Sequence, residues 1–257
     1  MPTLMRADLL LVERGLAHSR TAAQNLIDNE RVWLDLPEGR SLVNKSSQKL
    51  ADDTGLFIVP DPADRFVSRG GLKMQGALDH VQLDVSGLQV LDLGISTGGF
   101  SDCLLQAGAA SIVGVDVGHS QLAPKLASDV RITLFEGVNA RHLQAAELGL
   151  DPAQPGIDLI VIDVSFISLK LVLPSAIPLL RPGGHVLSLV KPQFEVGREG
   201  LSKGGIVKDE RLYPYVQRNI TDLCQQLGLQ VRDFFDSPIK GGDGNREFFV
   251  FAGKPDL

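Results

Sequence analysis

The chain has 257 residues, 44% hydrophobic and 22% charged, with a formal net charge of −6. That balance belongs to a folded globular protein and excludes a fibrous or disordered one. Two cysteines, Cys103 and Cys224, are too few for a disulfide framework, and five scattered histidines form no HExxH pattern; no metal is expected, and a reducing cytoplasm fits.

The acidic balance counts mildly against nucleic-acid binding but leaves local basic clusters open. Near the start, Arg6, Asp8, Glu13 and Arg14 surround the short apolar run Leu9 to Val12, too short for a secretory leader. Leu159 to Leu180 is the most membrane-like stretch. It contains Asp163, Lys170, Pro174 and Pro178, and reads as strand, turn and helix, so no membrane partner is expected.

In chain order, Ala7 to Arg14 has helical apolar spacing and stops at Gly15. Ser19 can cap a second helix running to about Asp28. Short β-like pieces follow at Val32 to Leu36, around Leu42 and at Leu56 to Val59, with Pro37 to Gly39 as a turn. Residues 1–60 therefore form a small αα-β unit, residues 61–69 a polar linker, and residues 70–257 a larger domain.

In the larger domain a helix is predicted from Leu72 to Val81. Apolar runs then alternate with helical stretches: Val90 to Leu93, Ile112 to Asp116, Ile132 to Glu136, Leu159 to Asp163 and His185 to Val190. Such alternation gives an α/β fold with a mostly parallel sheet covered on both faces. Helices are expected at Phe100 to Ala107, Leu169 to Leu180 and Tyr213 to Leu227. Gln230 to Ser237 and Phe248 to Ala252, joined by the glycine-rich residues 237–245, read as a terminal antiparallel pair. Residues 195–218, with Lys203, Lys208, Arg211 and Arg218, are either a mobile basic loop over a substrate or a solvated lead-in to the helix.

The segment Val90-Leu-Asp92-Leu-Gly94-Ile-Ser96-Thr97-Gly98-Gly99-Phe100 takes a strand through three glycines into a helix. Glycines let the backbone approach a ligand with no Cβ in the way. Asp116 stands 22 residues past Gly94 at the end of the next strand, placed to accept both ribose hydroxyls of an adenosyl ligand. The G-x-x-x-G-G spacing differs from the dinucleotide fingerprint, and Asp92 suits a methionine amino group better than a pyrophosphate. Glu136 and Asn139, after the third strand, are candidates for the adenine edge. The cofactor set is thus Asp92, Gly94, Ser96, Thr97, Gly98, Gly99, Phe100, Asp116, Glu136 and Asn139, and the ligand S-adenosylmethionine.

Lys73, Asp163, Lys191 and Glu247 are charges beside elements whose interior should be apolar. Each alone reads as a solvated strand end. Converging, two lysines and two carboxylates would suit a reaction at a ribose hydroxyl, a poor nucleophile that needs a base and tight orientation.

These motifs together resemble the TlyA family, often called haemolysin A, and more broadly the FtsJ-type ribose methyltransferases. Asp92 to Phe100, Ser68-Arg-Gly-Gly-Leu-Lys73, Asp163-Val-Ser-Phe-Ile-Ser168, Val190-Lys-Pro-Gln-Phe-Glu195 and Asn245-Arg-Glu247 carry the likeness across nearly the whole chain. The resemblance implies a Rossmann-like class I methyltransferase sheet and a lysine–aspartate–lysine–glutamate set on Lys73, Asp163, Lys191 and Glu247. Lys191 would be the base and Lys73 would orient the substrate. It also implies ribosomal RNA or its subunits as partner, with cytidine as the target.

Arg6-Ala-Asp8, Gly15-Leu-Ala-His-Ser19-Arg20 and Ala23-Gln24 resemble the S-four-type RNA-binding module, without its usual glycine and V-x-V-N-G strand. Residues 1–64 hold 7 Lys and Arg against 10 Asp and Glu, net −3, so RNA contact would rest on a local cluster: Arg6, Arg20 and Lys45, with Arg65 and Arg69. Amino-group methylation would call for D/N-P-P-Y/F where Asp163-Val-Ser-Phe166 stands, and cytosine-C5 methylation for a cysteine nearby; neither is present. A non-catalytic RNA-binding assembly factor and a membrane-active haemolysin are the alternatives from other functional classes.

Overall fold

The structure, a computed structural model, describes residues 3–256 except His18, Pro152, Gln154, Pro155 and Asp243. His18, in the Gly15 to Arg20 motif, and Asp243, in the glycine-rich connection, thus lie outside the described residues. The chain divides into two units, Met1–Asp64 and Arg65–Leu257.

In the first unit, α1 (Ala7–Glu13) and α2 (Arg20–Asp28) pack against β2 (Val32–Leu36) and β5 (Leu56–Ile58) of an antiparallel sheet that also holds β3 (Gly39–Leu42), in the order β3-β2-β5. Ser19 caps α2 as expected: its Oγ accepts the Ala22 N–H at 3.1 Å. Ala7, Leu10, Leu11, Ala23, Ile27 and Val32 close the core. Two further strands, β1 (Leu4–Arg6) and β4 (Lys49–Ala51), pair antiparallel; three residues each are too short for a pattern of alternation.

The second unit is built on a seven-stranded sheet. Its elements are α3 (Gly70–Val81), β6 (Gln89–Leu93), α4 (Gly99–Gln106), β7 (Ser111–Asp116), α5 (Pro124–Ala127), β8 (Ile132–Glu136), β9 (Ile157–Ile162), α6 (Leu169–Ala176), β10 (Leu180–Val190), α7 (Tyr213–Gln226), β11 (Gln230–Asp236) and β12 (Phe248–Gly253). The order is β11-β12-β10-β9-β6-β7-β8, with β12 antiparallel to both its neighbours and the β10-to-β8 pairings parallel.

Strand residues alternate between two apolar layers. Val90, Leu159, Val161 and Leu187 face α3 and α4, while Leu91, Leu93, Ile160 and Val186 face α6 and α7. Burial on both faces is why the parallel strands read as continuous apolar runs. The expected helix Leu169 to Leu180 ends at Ala176, followed by a 3-10 turn through Leu179, because Pro174 and Pro178 interrupt its hydrogen bonds.

The expected linker is also shorter. Phe66 is buried in the core of the second unit, and the Val67 N–H donates to Asp102 Oδ2 at 2.9 Å. Burying one aromatic ring outweighs the polar character of the surrounding residues. Among the described residues no helix is long and apolar enough to cross a membrane.

Candidate active site

Parallel strands bring β6, β7, β9 and β10 to a common carboxyl edge, and antiparallel β12 starts at that edge. Val190 pairs with Phe248, so the next residues outward, Lys191 and Glu247, lie at the same end of the sheet. Asp163 follows β9 directly, and Lys73 comes from the first turns of α3. This topology gathers four charges that are separated by up to 174 residues in the chain.

They form two pairs. Lys73 Nζ lies 2.5 Å from Glu247 Oε2, both side chains nearly buried at 11% and 3% exposure. Lys191 Nζ lies 2.6 Å from Asp163 Oδ1 and donates to Ser165 Oγ at 2.9 Å. Desolvated ion pairs hold rotamers firmly, since separating the partners would leave a buried charge uncompensated.

Three cavities open on this edge. One of about 690 Å³ is bordered by Gly94, Ser96, Asp116, Asn139 and the residues after β9. A second, about 260 Å³, contains Thr97, Gly99, Phe100, Lys73, Asp163 and Lys191. A third, about 460 Å³, lies between Lys73, Lys191, Glu247 and the rings of Phe166 and Phe194. Ser165 lines all three, so it marks their junction.

The glycine loop shapes the first two. Gly94 has φ +84°, and a Cβ there would come within 2.6 Å of the Asp163 carbonyl oxygen, so only glycine lets β6 turn this close to the end of β9. Gly99 is equally tight: a Cβ would sit 2.3 Å from Ser68 Oγ. Asp116 accepts the N–H groups of Ser96 at 2.9 Å and Gly118 at 2.7 Å, which fixes its carboxylate at the rim of the large cavity.

Asp92 is buried beneath this loop. Ser101 Oγ donates to its Oδ2 at 2.6 Å, while Oδ1 has no hydrogen-bond partner. Burial, with some help from the Asp163 and Asp116 charges, pushes the Asp92 carboxyl up to about 7 against the effect of the Ser101 bond. A buried carboxylate with a free oxygen suits a cationic ligand group, and the large cavity with Asp116 and Asn139 suits an adenosyl moiety.

Three expected cofactor residues, Asp92, Gly98 and Glu136, do not line the two cofactor-sized cavities. Gly98, at φ +91°, packs against Leu122 and Leu126 and lines neither cofactor-sized cavity. Glu136 ends the edge strand β8 and turns its Oε1 to the Ser120 N–H at 2.6 Å, outside the cavity lining. Of the expected RNA contacts in this unit, Arg69 lines the 260 Å³ cavity, and Arg65 lies 5.5 Å from the centre of the Phe66 ring.

In the first unit, Arg6 and Arg20 both grip the buried Asp8 at 2.9 Å, and Gln24 donates to it at 3.1 Å. The Arg6 and Arg20 contacts hold the Asp8 carboxyl far below the ordinary carboxylate range. Lys45 is exposed, next to Ser46, whose carbonyl accepts the Asp8 N–H.

Several site residues stand in the motifs of the sequence, but their contacts appear only in the fold. Phe166 follows Ser165 with φ +62° and a 92% exposed side chain, its ring 5.4 Å from that of Phe194. Asn245, buried, accepts the Val207 N–H and donates to the Gly205 carbonyl, both at 3.2 Å. It thereby fastens a short hairpin, closed by the Leu201–Val207 bridge, against the third cavity. Glu195, its carboxyl raised by burial, accepts from Ser168 Oγ at 2.6 Å and the Leu169 N–H at 2.9 Å, tying the loop after β10 to the start of α6.

The chain matches the FtsJ-like methyltransferase family over residues 66–254. It is 41% identical over 245 residues to YqxC of Bacillus subtilis, named as a candidate rRNA methyltransferase, covering 95% of this chain and 84% of that protein. It is 40% identical over 246 residues to the 16S/23S rRNA (cytidine-2′-O)-methyltransferase TlyA of Mycobacterium tuberculosis, covering 96% and 88%. A solved structure from Streptococcus thermophilus, named as a candidate hemolysin, superposes with a TM-score of 0.75 at 38% identity, covering 100% of this chain and 90% of that one. The chain belongs to the FtsJ-like methyltransferases and, along nearly its whole length, to their TlyA group.

Proposed function

We propose that this chain methylates the 2′-hydroxyl of a cytidine ribose in ribosomal RNA, using S-adenosylmethionine. The observation that carries the reading is the pair of short lysine–carboxylate contacts where the three cavities meet. Bound S-adenosylmethionine would supply a methyl group already activated by its sulfonium charge.

The chain's own residues supply alignment and proton transfer. Asp116 and Asn139 would hold the adenosyl part, and Asp92 with the Gly94–Gly99 loop the methionine part. Lys191, positioned by Asp163 and Ser165, would in its neutral amine form take the proton of the target hydroxyl and become the ammonium that Asp163 stabilises, and Lys73, fixed by Glu247, would orient that hydroxyl. The exposed Phe166 ring offers a flat surface on which a nucleobase can stack, setting the ribose between the lysines. On the first unit, Arg6, Arg20 and Lys45 would bind RNA phosphates in the manner of an S-four-type module. Such a substrate places the working enzyme in the cytoplasm.

The test is Lys191→Ala. Transfer to ribosomal subunits should fall by about 10²–10⁴-fold while the cofactor dissociation constant stays within a few fold. Full activity in that variant would remove Lys191 from the mechanism.

A further inference from the structure

Four cations line the 260 Å³ cavity: Arg69, Lys73, Lys191 and Lys240. Lys73 and Lys191 are each neutralised by a carboxylate. Arg69 and Lys240 are exposed and have no carboxylate partner among the described residues. Among the described residues, the cavity beside the paired lysines therefore carries two positive charges without a carboxylate partner.

Both are anchored on α3. Arg69 is the residue that caps its N-terminus. Lys240 lies in the connection between β11 and β12, where Pro238 packs on Gly76 of α3 so closely that a Cβ there would meet the ring at 2.7 Å. Beyond Lys240, the Gly241 backbone abuts the Glu247 carboxylate; a Cβ on Gly241 would lie 2.5 Å from Oε1. The Gly241 N–H also donates to the Asn245 carbonyl at 2.9 Å. Lys240 thus projects from backbone held on one side by the helix that carries Lys73 and on the other by the partner of Lys73.

We propose that Arg69 and Lys240 form a phosphate clamp that grips an RNA phosphodiester adjoining the target ribose. The reference to a target ribose rests on the methylation reading above; the grip on phosphate does not. A ribose seated at the lysine pairs has a phosphodiester on its 3′ side, attached to the carbon next to the one that bears the reacting hydroxyl, and another on its 5′ side. In a chain of net charge −6, attraction of RNA to this edge must come from local, unpaired cations. A lysine and an arginine lining one cavity suit a tetrahedral anion that enters it. The other oxyanion that reaches this edge is the carboxylate of the cofactor, and the same experiment separates the two.

The experiment measures binding of a short single-stranded RNA to the full chain saturated with S-adenosylhomocysteine, across a salt series. Parent, Lys240→Ala, Arg69→Ala and Lys240→Arg are compared, and the dissociation constant of S-adenosylhomocysteine is measured for each. Each alanine variant should reduce the slope of log K against log salt by roughly 0.7, the loss of one phosphate contact on a single strand. Lys240→Arg should restore the slope, and cofactor affinity should not move. Unchanged slopes in both alanine variants would overturn the clamp. A weakened cofactor with an unchanged RNA slope would also overturn it, assigning these cations to the cofactor carboxylate. The readout is binding, so it stands apart from whether the parent protein transfers methyl groups, which tests the ribose reading.

Discussion

Lowering the pH from about 8 to about 6 should weaken cofactor binding about tenfold, and Asp92 is the reason. Without ligand, burial pushes its carboxyl up to about 7, so it is some nine-tenths ionised at the upper pH and one-tenth at the lower. A cationic amino group held by Asp92 needs the ionised form, and its Oδ1 is the oxygen left without a partner. The tenfold loss of competent protein corresponds to about 1.4 kcal/mol. Titration calorimetry in buffers of different ionisation enthalpy should record release of about half a proton on binding near pH 7.

The same group has a linked effect on stability. A folded-state pKa above the unfolded value of about 3.9 favours folding below that pH, and the contribution is lost as pH rises through about 7. Asp92→Asn should therefore raise the ligand-free melting temperature at pH 8, leave it unchanged near pH 4, and bind cofactor weakly with no dependence on pH. A parent protein with equal affinity at both pH values, or an Asn variant that keeps the pH dependence, would refute this reasoning.

Glu247→Ala leaves the buried Lys73 charge unpaired and should cost about 3–5 kcal/mol in urea unfolding, with Lys73→Met added to it recovering most of the loss. Gly94→Ala forces a Cβ against the Asp163 carbonyl at a left-handed backbone position; a stability loss of about 1–3 kcal/mol and weakened cofactor binding are expected, measured by denaturation and by titration. Asp8, held ionised by Arg6 and Arg20, contributes stability that is present above its unfolded value and lost as pH falls below about 4 through its lower folded value. The single tryptophan, Trp33 in β2, reports this acid transition by fluorescence, and Asp8→Asn should reduce its pH dependence, leaving the share of other paired carboxylates such as Asp64.

Much of the second unit is legible in the sequence because its chemistry is local. A strand covered on both faces has to be apolar throughout, so β6, β7, β9 and β10 stand out, and charges at their ends stand out in turn. The pairing of Lys73 with Glu247 is another matter. Nothing in residues 70–81 specifies β12 as the partner; the sheet order does that. Asn245 stands in one of the motifs, but its grip on Gly205 and on Val207, 38 residues away, appears only when the chain has folded back. Lys240 is a polar loop residue whose place in a cavity wall appears only in the fold, and Ser165, though inside the Asp163 to Ser168 motif, shows its place at the junction of three cavities only there too. Glu136 follows a strand as a ligand contact would, and its bond to the Ser120 N–H at the sheet-edge strand β8 is visible only in the fold.

The most direct test of the central proposal is transfer of labelled methyl groups from S-adenosylmethionine to purified ribosomal subunits, followed by complete nuclease digestion and separation of the nucleosides. The label should appear in 2′-O-methylcytidine and disappear with Lys191→Ala. Label in a base-methylated nucleoside would contradict the role given to the two lysine–carboxylate pairs. No transfer to subunits or naked ribosomal RNA, from protein that binds the cofactor, would contradict the enzymatic reading itself.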